Sequence, residues 1–336
     1  MKVFNVAIVG ATGAVGHELL KILALRNFPV GELKLLATER SEGKKINFKG
    51  KEYTVERTTA EAFANMQIAL FAGGAASKLF AQDAVNAGAI VIDNSSSFRM
   101  DPEVPLVVPE VNPEDVKWHK GIIANPNCST IQMVVALKPL HDKAKINRIV
   151  VSTYQAVSGA GKEAIDELNQ QVGAIVNEKE VEVKVFPYQI AFNLIPQIDV
   201  FEDNDYTKEE MKMVYETRKM FHDDSIQISA TTVRVPIYRS HSEAISIETE
   251  KKITALEARE LLAKAPGVVI IDEPSEKQYP MPLFASDTDE VYVGRIREDI
   301  SHPKGLCLWV VADQIRKGAA TNAIQIAELL VQYSLI

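Results

Sequence analysis

The sequence predicts an α/β protein of two regions, a doubly wound parallel sheet followed by an α+β region. Short apolar, β-branched segments alternate with helical segments in the first 127 residues, and a glycine-rich turn follows the first of these segments. Longer segments with strand-like alternation dominate after about Asn127. With 336 residues, 46% of them hydrophobic, the chain is long enough to bury two cores.

The first region reads in order as strand, turn and helix. Residues 6–9 are a β-branched apolar run, a glycine turn occupies residues 10–16, and helical periodicity follows over residues 17–23. Residues 33–37, 68–72 and 89–93 predict further strands, and residues 77–87 predict a helix between two of them. This alternation favours a parallel sheet with helices on both faces.

The second region mixes longer strands with helices. Residues 148–154, 225–236 and 243–250 predict strands, whereas residues 208–221 and 255–265 predict helices. Residues 317–330 predict a final helix whose apolar face packs back on the first region. We therefore expect a first domain of residues 1–127 with 315–336, and a second domain of residues 128–314 that carries catalysis and oligomerisation.

Composition argues against several classes of protein. The formal net charge of −8 and the lack of a basic run disfavour nucleic acid as a partner. No run of eighteen apolar residues predicts a membrane span, and the first residues enter a strand without a signal-peptide pattern. The two cysteines, Cys128 and Cys307, do not make a disulfide framework and suit a reducing compartment. The sequence therefore favours the cytoplasm, and a small anionic ligand remains compatible with it.

The glycine turn predicts a dinucleotide site of the Rossmann type. Its glycines permit close backbone approach, and the following helix offers unpaired N–H groups and a positive dipole end to a pyrophosphate. The spacing Gly-x-x-Gly-x-x-Gly departs from the usual Gly-x-Gly-x-x-Gly, and a tight strand–helix turn without a ligand is the alternative. The expected cofactor contacts are Gly10, Ala11, Thr12, Gly13, Ala14, Val15 and Gly16.

Residues 38–41 follow the second strand, where a dinucleotide's ribose is recognised. Glu39 could bind a ribose 2′-hydroxyl and favour NAD, whereas Arg40 with Ser41 could bind a 2′-phosphate and favour NADP. Solvated charges at a strand end are the alternative interpretation. These residues alone leave the choice open.

Cys128 lies where a predicted strand, a turn and an apolar helix meet. The N–H groups and dipole of a helix N-terminus stabilise a thiolate, so the position predicts a nucleophile. A small buried hydrophobe is the commoner state of a free cysteine, and it fits Cys307 in its apolar strand. His241, in a polar break between two strand-like segments, is the best placed proton carrier, although a lone loop histidine is more often only surface-exposed.

Ordered motifs from Val6 to Asn322 resemble the aspartate-semialdehyde dehydrogenase family over nearly the whole chain. They are the glycine turn, VIDNSS (91–96) with FRM (98–100), PLVVPEVN (105–112), NPNCST (125–130), QAVSGAG (155–161), EEMK (209–212), RVP (234–236) and RSHSE (239–243). The resemblance implies that Cys128 is the nucleophile, Gln155 orients the substrate and His241 is the acid/base. It also implies that charged side chains hold the substrate: Arg99, Glu209, Lys212 and Arg234.

The same resemblance implies a reaction and a cofactor. NADPH would reduce L-4-aspartyl phosphate to L-aspartate 4-semialdehyde through a thioacyl group on Cys128, in the biosynthesis of lysine, threonine, methionine and diaminopimelate. An Arg-Ser pair after the second strand favours NADP at Arg40 and Ser41, and further cofactor contacts are expected at Ser158, Gly159 and Asn322. No metal is expected, and the family suggests a homodimer or homotetramer built through the second domain.

Two local departures and three alternatives accompany this interpretation. Residues 71–77 lack serines common in the family and are about one residue short, and Glu39 makes some use of NAD conceivable. N-acetyl-glutamyl-phosphate reductase shares the chemistry, but a glycine is expected there in place of Asn127. A non-catalytic NADP-binding regulator is disfavoured because Cys128, Gln155 and His241 are all present. A cysteine hydrolase would use Cys128 and His241 without a dinucleotide.

Overall fold

The computed structural model describes residues 2–336. The strands are β1 (Phe4–Val9), β2 (Val30–Ala37), β3 (Lys45–Phe48), β4 (Lys51–Arg57), β5 (Ile68–Phe71), β6 (Ile90–Asp93), β7 (Ile122–Ala124), β8 (Ile146–Gln155), β9 (Gln227–Arg234), β10 (His241–Thr249), β11 (Val268–Ile270), β12 (Val291–Glu298) and β13 (Gly305–Ala312). The α-helices are α1 (Ala14–Leu25), α2 (Ala75–Asn86), α3 (Cys128–Ala144), α4 (Lys162–Val176), α5 (Lys208–Phe221), α6 (Ala255–Leu262), α7 (Pro282–Ala285) and α8 (Thr321–Gln332).

The chain divides into two compact units. The first runs to Asn127 and includes Gly318–Ile336, and the second is Cys128–Lys317. No helix among residues 2–336 is both long and apolar enough to cross a membrane.

The first unit contains a seven-stranded sheet in the order β3-β4-β2-β1-β5-β6-β7. All neighbouring strands are parallel except the β3–β4 pair. One face buries α1 and α8, with Leu19, Ile22 and Ile324 in the core, and the other face buries α2 with Ala81 and Ala84. Because both faces are covered, the central strands are continuous apolar runs, as in other parallel sheets. The predicted doubly wound sheet is confirmed, and α8 packs on it next to α1.

The order of the strands places a crevice beside β1. From β1 the chain continues to β2 and β4 on one side of β1, and it then returns to the other side of β1 for β5 and β6. In doubly wound sheets, ligands bind at this reversal, outside the carboxyl ends of the strands. The glycine turn after β1 and the Gly73–Gly74 turn after β5 both lie at this end of the sheet.

The second unit contains a mixed six-stranded sheet in the order β11-β12-β13-β10-β8-β9. Helices α3, α5 and α6 pack on one face. Residues of β10 alternate between the two faces of the sheet. The odd-numbered residues from His241 to Thr249 are buried, whereas Ala244, Ser246 and Glu248 are only half-buried. This period of two confirms the predicted strand and leaves one face of the sheet more open.

Candidate active site

Cys128 is the first residue of α3 and is half-buried. The predicted turn–helix junction is therefore present, and Cys128 belongs to the first turn of α3. Such a position stabilises a thiolate through unpaired N–H donors and the helix dipole. Apolar residues along α3, including Ile131, Val134 and Val135, are buried and fix the helix against the sheet.

Three polar side chains meet at one edge of the second sheet. Gln155 ends β8 and Arg234 ends the parallel strand β9, where the two residues are partners in the register. His241 begins the antiparallel strand β10 on the other side of β8, next to Ser242, which pairs with Tyr154. All three are buried, so the sheet brings residues from three sequence motifs to the same end.

His241 is fully buried in β10 rather than exposed in a loop, which differs from the sequence expectation. Its Nδ1 accepts the backbone N–H of Ala156 at 3.1 Å, so the neutral ring carries its hydrogen on Nε2. Nε2 has no hydrogen-bond partner among the described residues. Burial and the positive charge of Arg234 lower the pKa of His241 to about 3. His241 therefore presents a neutral N–H donor.

Arg234 lies close to His241, and its charge also interacts with that of Cys128. Its Nη1 donates to the carbonyl of Ala156 at 2.6 Å. Since the N–H of Ala156 donates to His241, the backbone of this one residue holds both side chains. Burial lowers the pKa of Arg234, while the negative charges of Glu209 and Cys128 oppose this effect. A Cβ atom on Gly159 would lie 2.9 Å from Nη1 and 3.5 Å from His241 Cε1, so a side chain at this position would displace the guanidinium group of Arg234.

A chain of polar contacts continues from Gln155 onto α5. Gln155 Nε2 donates to Glu209 Oε1 at 3.1 Å, and Lys212 Nζ donates to Glu209 Oε2 at 3.0 Å. Lys212 also contacts Asp199 Oδ2 at 3.0 Å. Burial opposes the charge of Lys212, but the attraction of Glu209 and Asp199 outweighs burial and raises its pKa. The cluster retains both signs of charge, which matches a substrate with ammonium and anionic groups.

The start of α5 explains why Glu209 and Lys212 point to one side. Thr207 and Glu210 form a reciprocal capping box that fixes the first turn. Glu210 Oε1 also accepts the N–H of Thr232 at 2.9 Å, which ties this turn to β9 two residues before Arg234. The spacing of three residues along the helix then places Glu209 and Lys212 on the same face.

Glu243 is a buried carboxyl that sequence analysis did not single out. It lies two residues after His241 on the same strand face, and neither of its oxygens has a well-formed hydrogen bond among the described residues. Burial raises the pKa of Glu243 well above its ordinary value, and the nearby side chain of Gln132 only partly opposes this. Gln132 in turn donates to the backbone carbonyl of His241 at 3.4 Å.

Replacing Glu243 by glutamine should stabilise the protein increasingly as pH rises. A carboxyl whose pKa is raised in the folded state contributes its stability at low pH and loses it as pH rises towards the folded pKa. The free energy of unfolding of Glu243→Gln should equal that of the wild type near pH 4.5 and then exceed it by up to ~1.4 kcal/mol per pH unit. Urea unfolding between pH 5 and 8 measures this difference. Parallel pH profiles for the two proteins would show that Glu243 is not neutral in the fold.

The first unit fits a dinucleotide at its glycine turn. Gly10 has φ +83°, and a Cβ atom on Gly16 would lie 2.3 Å from the carbonyl oxygen of Gly10. Helix α1 begins at Ala14 after Gly13, which provides no side-chain cap. A cavity of about 490 Å³ opens beside this turn and is lined by residues that follow β1, β2, β4 and β5. Free N–H groups at α1 and an adjoining cavity are the features that a pyrophosphate and its nucleoside require.

The segment after β2 forms a short 3₁₀ turn, Glu39–Ser41. Ser41 is buried, and its Oγ accepts from Thr12 Oγ1 and from Lys44 Nζ, each at 3.3 Å. Arg40 is exposed, whereas the cavity is lined by Glu39 and by Arg57. Arg57 was missed by sequence analysis because it lies sixteen residues beyond Ser41, on a strand that does not belong to any motif.

The remaining predicted residues fall into both units. In the first unit, Arg99 Nη2 donates to the carbonyl of Asn94 at 2.9 Å, and buried Asn322 donates to Asn125 Oδ1 at 2.7 Å. In the second unit, Ser158 Oγ accepts from Gln314 Nε2 at 2.5 Å. The second unit thus gathers Cys128, Gln155, Ser158, Gly159, Glu209, Lys212, Arg234 and His241, whereas the first contains residues 10–16, Arg40, Ser41, Arg99 and Asn322.

Comparison with known proteins identifies relatives over the full length. Residues 5–119 match the family model "Semialdehyde dehydrogenase, NAD binding domain", and residues 137–317 match "Semialdehyde dehydrogenase, dimerisation domain". The aspartate-semialdehyde dehydrogenase of Aquifex aeolicus is 62% identical over 99% of each chain.

Solved structures give the same result. The crystal structure of aspartate semialdehyde dehydrogenase II from Vibrio cholerae complexed with ASA has a TM-score of 0.96, with 53% identity over 99% of each chain. The enzyme of Candida albicans with NADP has a TM-score of 0.79, with 25% identity over 100% of each chain. Sequence and fold lead to one conclusion: the chain belongs to the aspartate-semialdehyde dehydrogenase family.

Proposed function

We propose that this chain reduces L-4-aspartyl phosphate to L-aspartate 4-semialdehyde with NADPH, as a step in amino-acid biosynthesis from aspartate. The observation that carries the proposal is the buried pair of Arg234 and His241, with Cys128 at the N-terminus of α3 close enough for its negative charge to act on Arg234. The names of its full-length relatives support the same activity. The cofactor of the Candida albicans structure supports NADP.

The chemistry begins with the Cys128 thiolate. Its sulfur forms a bond to the acyl carbon, the bond from that carbon to the phosphate oxygen breaks, and phosphate leaves with the electron pair. NADPH, when bound, supplies a hydride to the carbon of the resulting thioacyl group. The carbon–sulfur bond then breaks, the aldehyde forms, and the electron pair returns to the Cys128 sulfur.

His241 assists wherever negative charge develops on the acyl oxygen. Its Nε2–H has no partner among the described residues and is held by the hydrogen bond from Ala156 to Nδ1. A fixed donor in a buried site stabilises an oxyanion without reorganising solvent. The resemblance implies instead that His241 acts as a titrating acid/base, and the pH dependence of turnover distinguishes the two roles.

The charged residues are assigned by chemical match. Arg234 binds the α-carboxylate through its planar guanidinium group, and Glu209 binds the ammonium group. Gln155 holds Glu209 in place through their hydrogen bond of 3.1 Å. Lys212 and Arg99 are assigned to the anionic groups of the substrate, and residues 10–16, Arg40, Ser41, Ser158, Gly159 and Asn322 to the cofactor.

A cofactor-coupled assay tests this function against its alternatives. Purified protein should reduce NADP⁺ with aspartate semialdehyde and phosphate, and should not do so with N-acetylglutamate semialdehyde. Preference for the acetylated substrate would identify the N-acetyl-glutamyl-phosphate reductase instead. Dinucleotide binding without turnover would indicate a regulator, and hydrolysis without a dinucleotide would indicate a cysteine hydrolase.

The open face of the second sheet supports a homodimer as the assembly. Tyr154 and Trp309 lie on this face, half-buried and with ring centroids 5.5 Å apart. The irregular segment between α4 and α5 also exposes large apolar side chains, with Tyr188 at 69% and Phe192 at 71% exposure. Large apolar side chains exposed together are typical of interfaces between proteins. Neither Cys128 nor Cys307 forms a disulfide, which supports placing the enzyme in a reducing compartment, the cytoplasm.

A further inference from the structure

Glu39 and Arg57 form an ion pair on the wall of the cavity in the first unit. Arg57 Nη1 lies 3.6 Å from Glu39 Oε2, and the two side chains are 56% and 75% exposed. Both residues line the cavity that also contains Gly10 of the glycine turn. The pair is therefore accessible from the space that a dinucleotide would fill.

The backbone holds this pair at one end of the sheet. Arg57 ends β4 and is the register partner of Ala37, which ends the parallel strand β2. The N–H and the hydroxyl of Thr58 both donate to the carbonyl of Ala37, at 2.9 and 3.0 Å. Glu39 lies two residues after Ala37, at the start of the 3₁₀ turn. Both side chains thus originate at the carboxyl ends of adjacent strands, which are firmly joined.

This location is where the adenosine ribose of a dinucleotide is recognised. In doubly wound folds a carboxylate after the second strand accepts the ribose 2′-hydroxyl of NAD, whereas an arginine nearby accommodates the 2′-phosphate of NADP. The cavity offers one group of each kind, already paired with each other.

We propose that the Glu39–Arg57 pair sets the preference of this protein between NADPH and NADH, with Arg57 binding the 2′-phosphate and Glu39 opposing it. An exposed pair at 3.6 Å is weak and easily exchanged. A phosphate with about two negative charges at neutral pH is a stronger partner for Arg57 than one carboxylate. The same phosphate is repelled by Glu39, which instead accepts a hydrogen bond from a ribose hydroxyl. The inference rests on the cofactor site proposed above.

Calorimetric titration of NADP⁺ and NAD⁺ into the full-length protein tests the pair without depending on turnover. Arg57→Gln should raise the dissociation constant of NADP⁺ about tenfold and leave that of NAD⁺ nearly unchanged, because one charge-assisted contact is lost. Glu39→Gln should make binding more selective for NADP⁺, because it removes the charge that repels the 2′-phosphate. The ratio of kcat/KM for the two cofactors should move in the same directions.

Lys45→Gln provides the matched control. Lys45 Nζ lies 3.5 Å from Glu52 Oε1 in an equally exposed pair on the β3–β4 hairpin, away from the lining of the cavity. It should change neither constant. If the ratio of the NADP⁺ and NAD⁺ dissociation constants were the same in Arg57→Gln as in Lys45→Gln, and the enzyme were active, this inference would be wrong while the proposed function would stand. If the wild-type protein bound neither dinucleotide, both this inference and the proposed function would be wrong.

Discussion

Replacing Cys128 by serine should lower turnover by roughly 10³-fold or more while leaving NADPH binding intact. The serine hydroxyl would occupy the same place at the N-terminus of α3, but it ionises far less readily than a thiol and is a poorer nucleophile. Cofactor-coupled kinetics measure the loss, and calorimetric titration of NADPH shows whether the fold and the cofactor site survive.

Cys307→Ser is the control for this substitution. Cys307 lies on β13, where its sulfur is 3.4 Å from Ser246 Oγ on the more open face of the sheet. Its replacement should leave kcat within about twofold, because serine is nearly the same size as cysteine and Cys307 lies outside the polar cluster of Gln155, Arg234 and His241. Substantial activity in Cys128→Ser would remove the covalent step from the account.

His241→Asn should lower kcat by about 10²–10⁴-fold. The shorter amide can replace Nδ1 as the acceptor of the Ala156 N–H, but it offers no donor at the position of Nε2. His241→Gln extends an amide about as far as Nε2 and should therefore retain more activity than His241→Asn. Rapid kinetics of both variants, with the dissociation constant of NADPH as a fold check, measure the difference.

The pH dependence distinguishes a neutral donor from a titrating acid/base. Because the pKa of His241 is about 3, the wild type and His241→Gln should share the shape of their kcat profiles between pH 5 and 8. Loss of a limb near neutrality in His241→Gln alone would instead show that the histidine titrates during catalysis. Arg234→Lys provides a contrast, because it should mainly raise the KM of the semialdehyde, by roughly 10–100-fold for a lost charged hydrogen bond.

The sequence was sufficient for the elements with strong periodicity. The apolar runs of β1, β5 and β6 and the amphipathic α5 follow directly from local pattern, because packing on both faces or on one face dictates where apolar residues recur. The turn before α3 was equally clear, since its polar residues interrupt two apolar segments. These elements carry the glycine turn and Cys128, so both motifs were placed correctly on the fold.

The burial and position of side chains that depend on pairing between distant strands could not be predicted. His241 has polar neighbours in sequence, yet β10 lies between β8 and β13 and buries it completely. Arg57 reaches the cavity only because β4 pairs with β2, and Glu243 becomes a buried carboxyl only because α3 covers its strand. Register and burial of this kind are set by the sheet as a whole and leave no local signal.

Mass spectrometry of the acylated protein tests the covalent role of Cys128 most directly. Protein mixed with L-4-aspartyl phosphate in the absence of NADPH should release about one phosphate per site and retain the aspartyl group as a thioester on the peptide that contains Cys128. Adding NADPH should discharge the group as semialdehyde, and Cys128→Ser should acquire none. Phosphate release without an adduct on Cys128, in a protein that still forms semialdehyde with NADPH, would contradict the account.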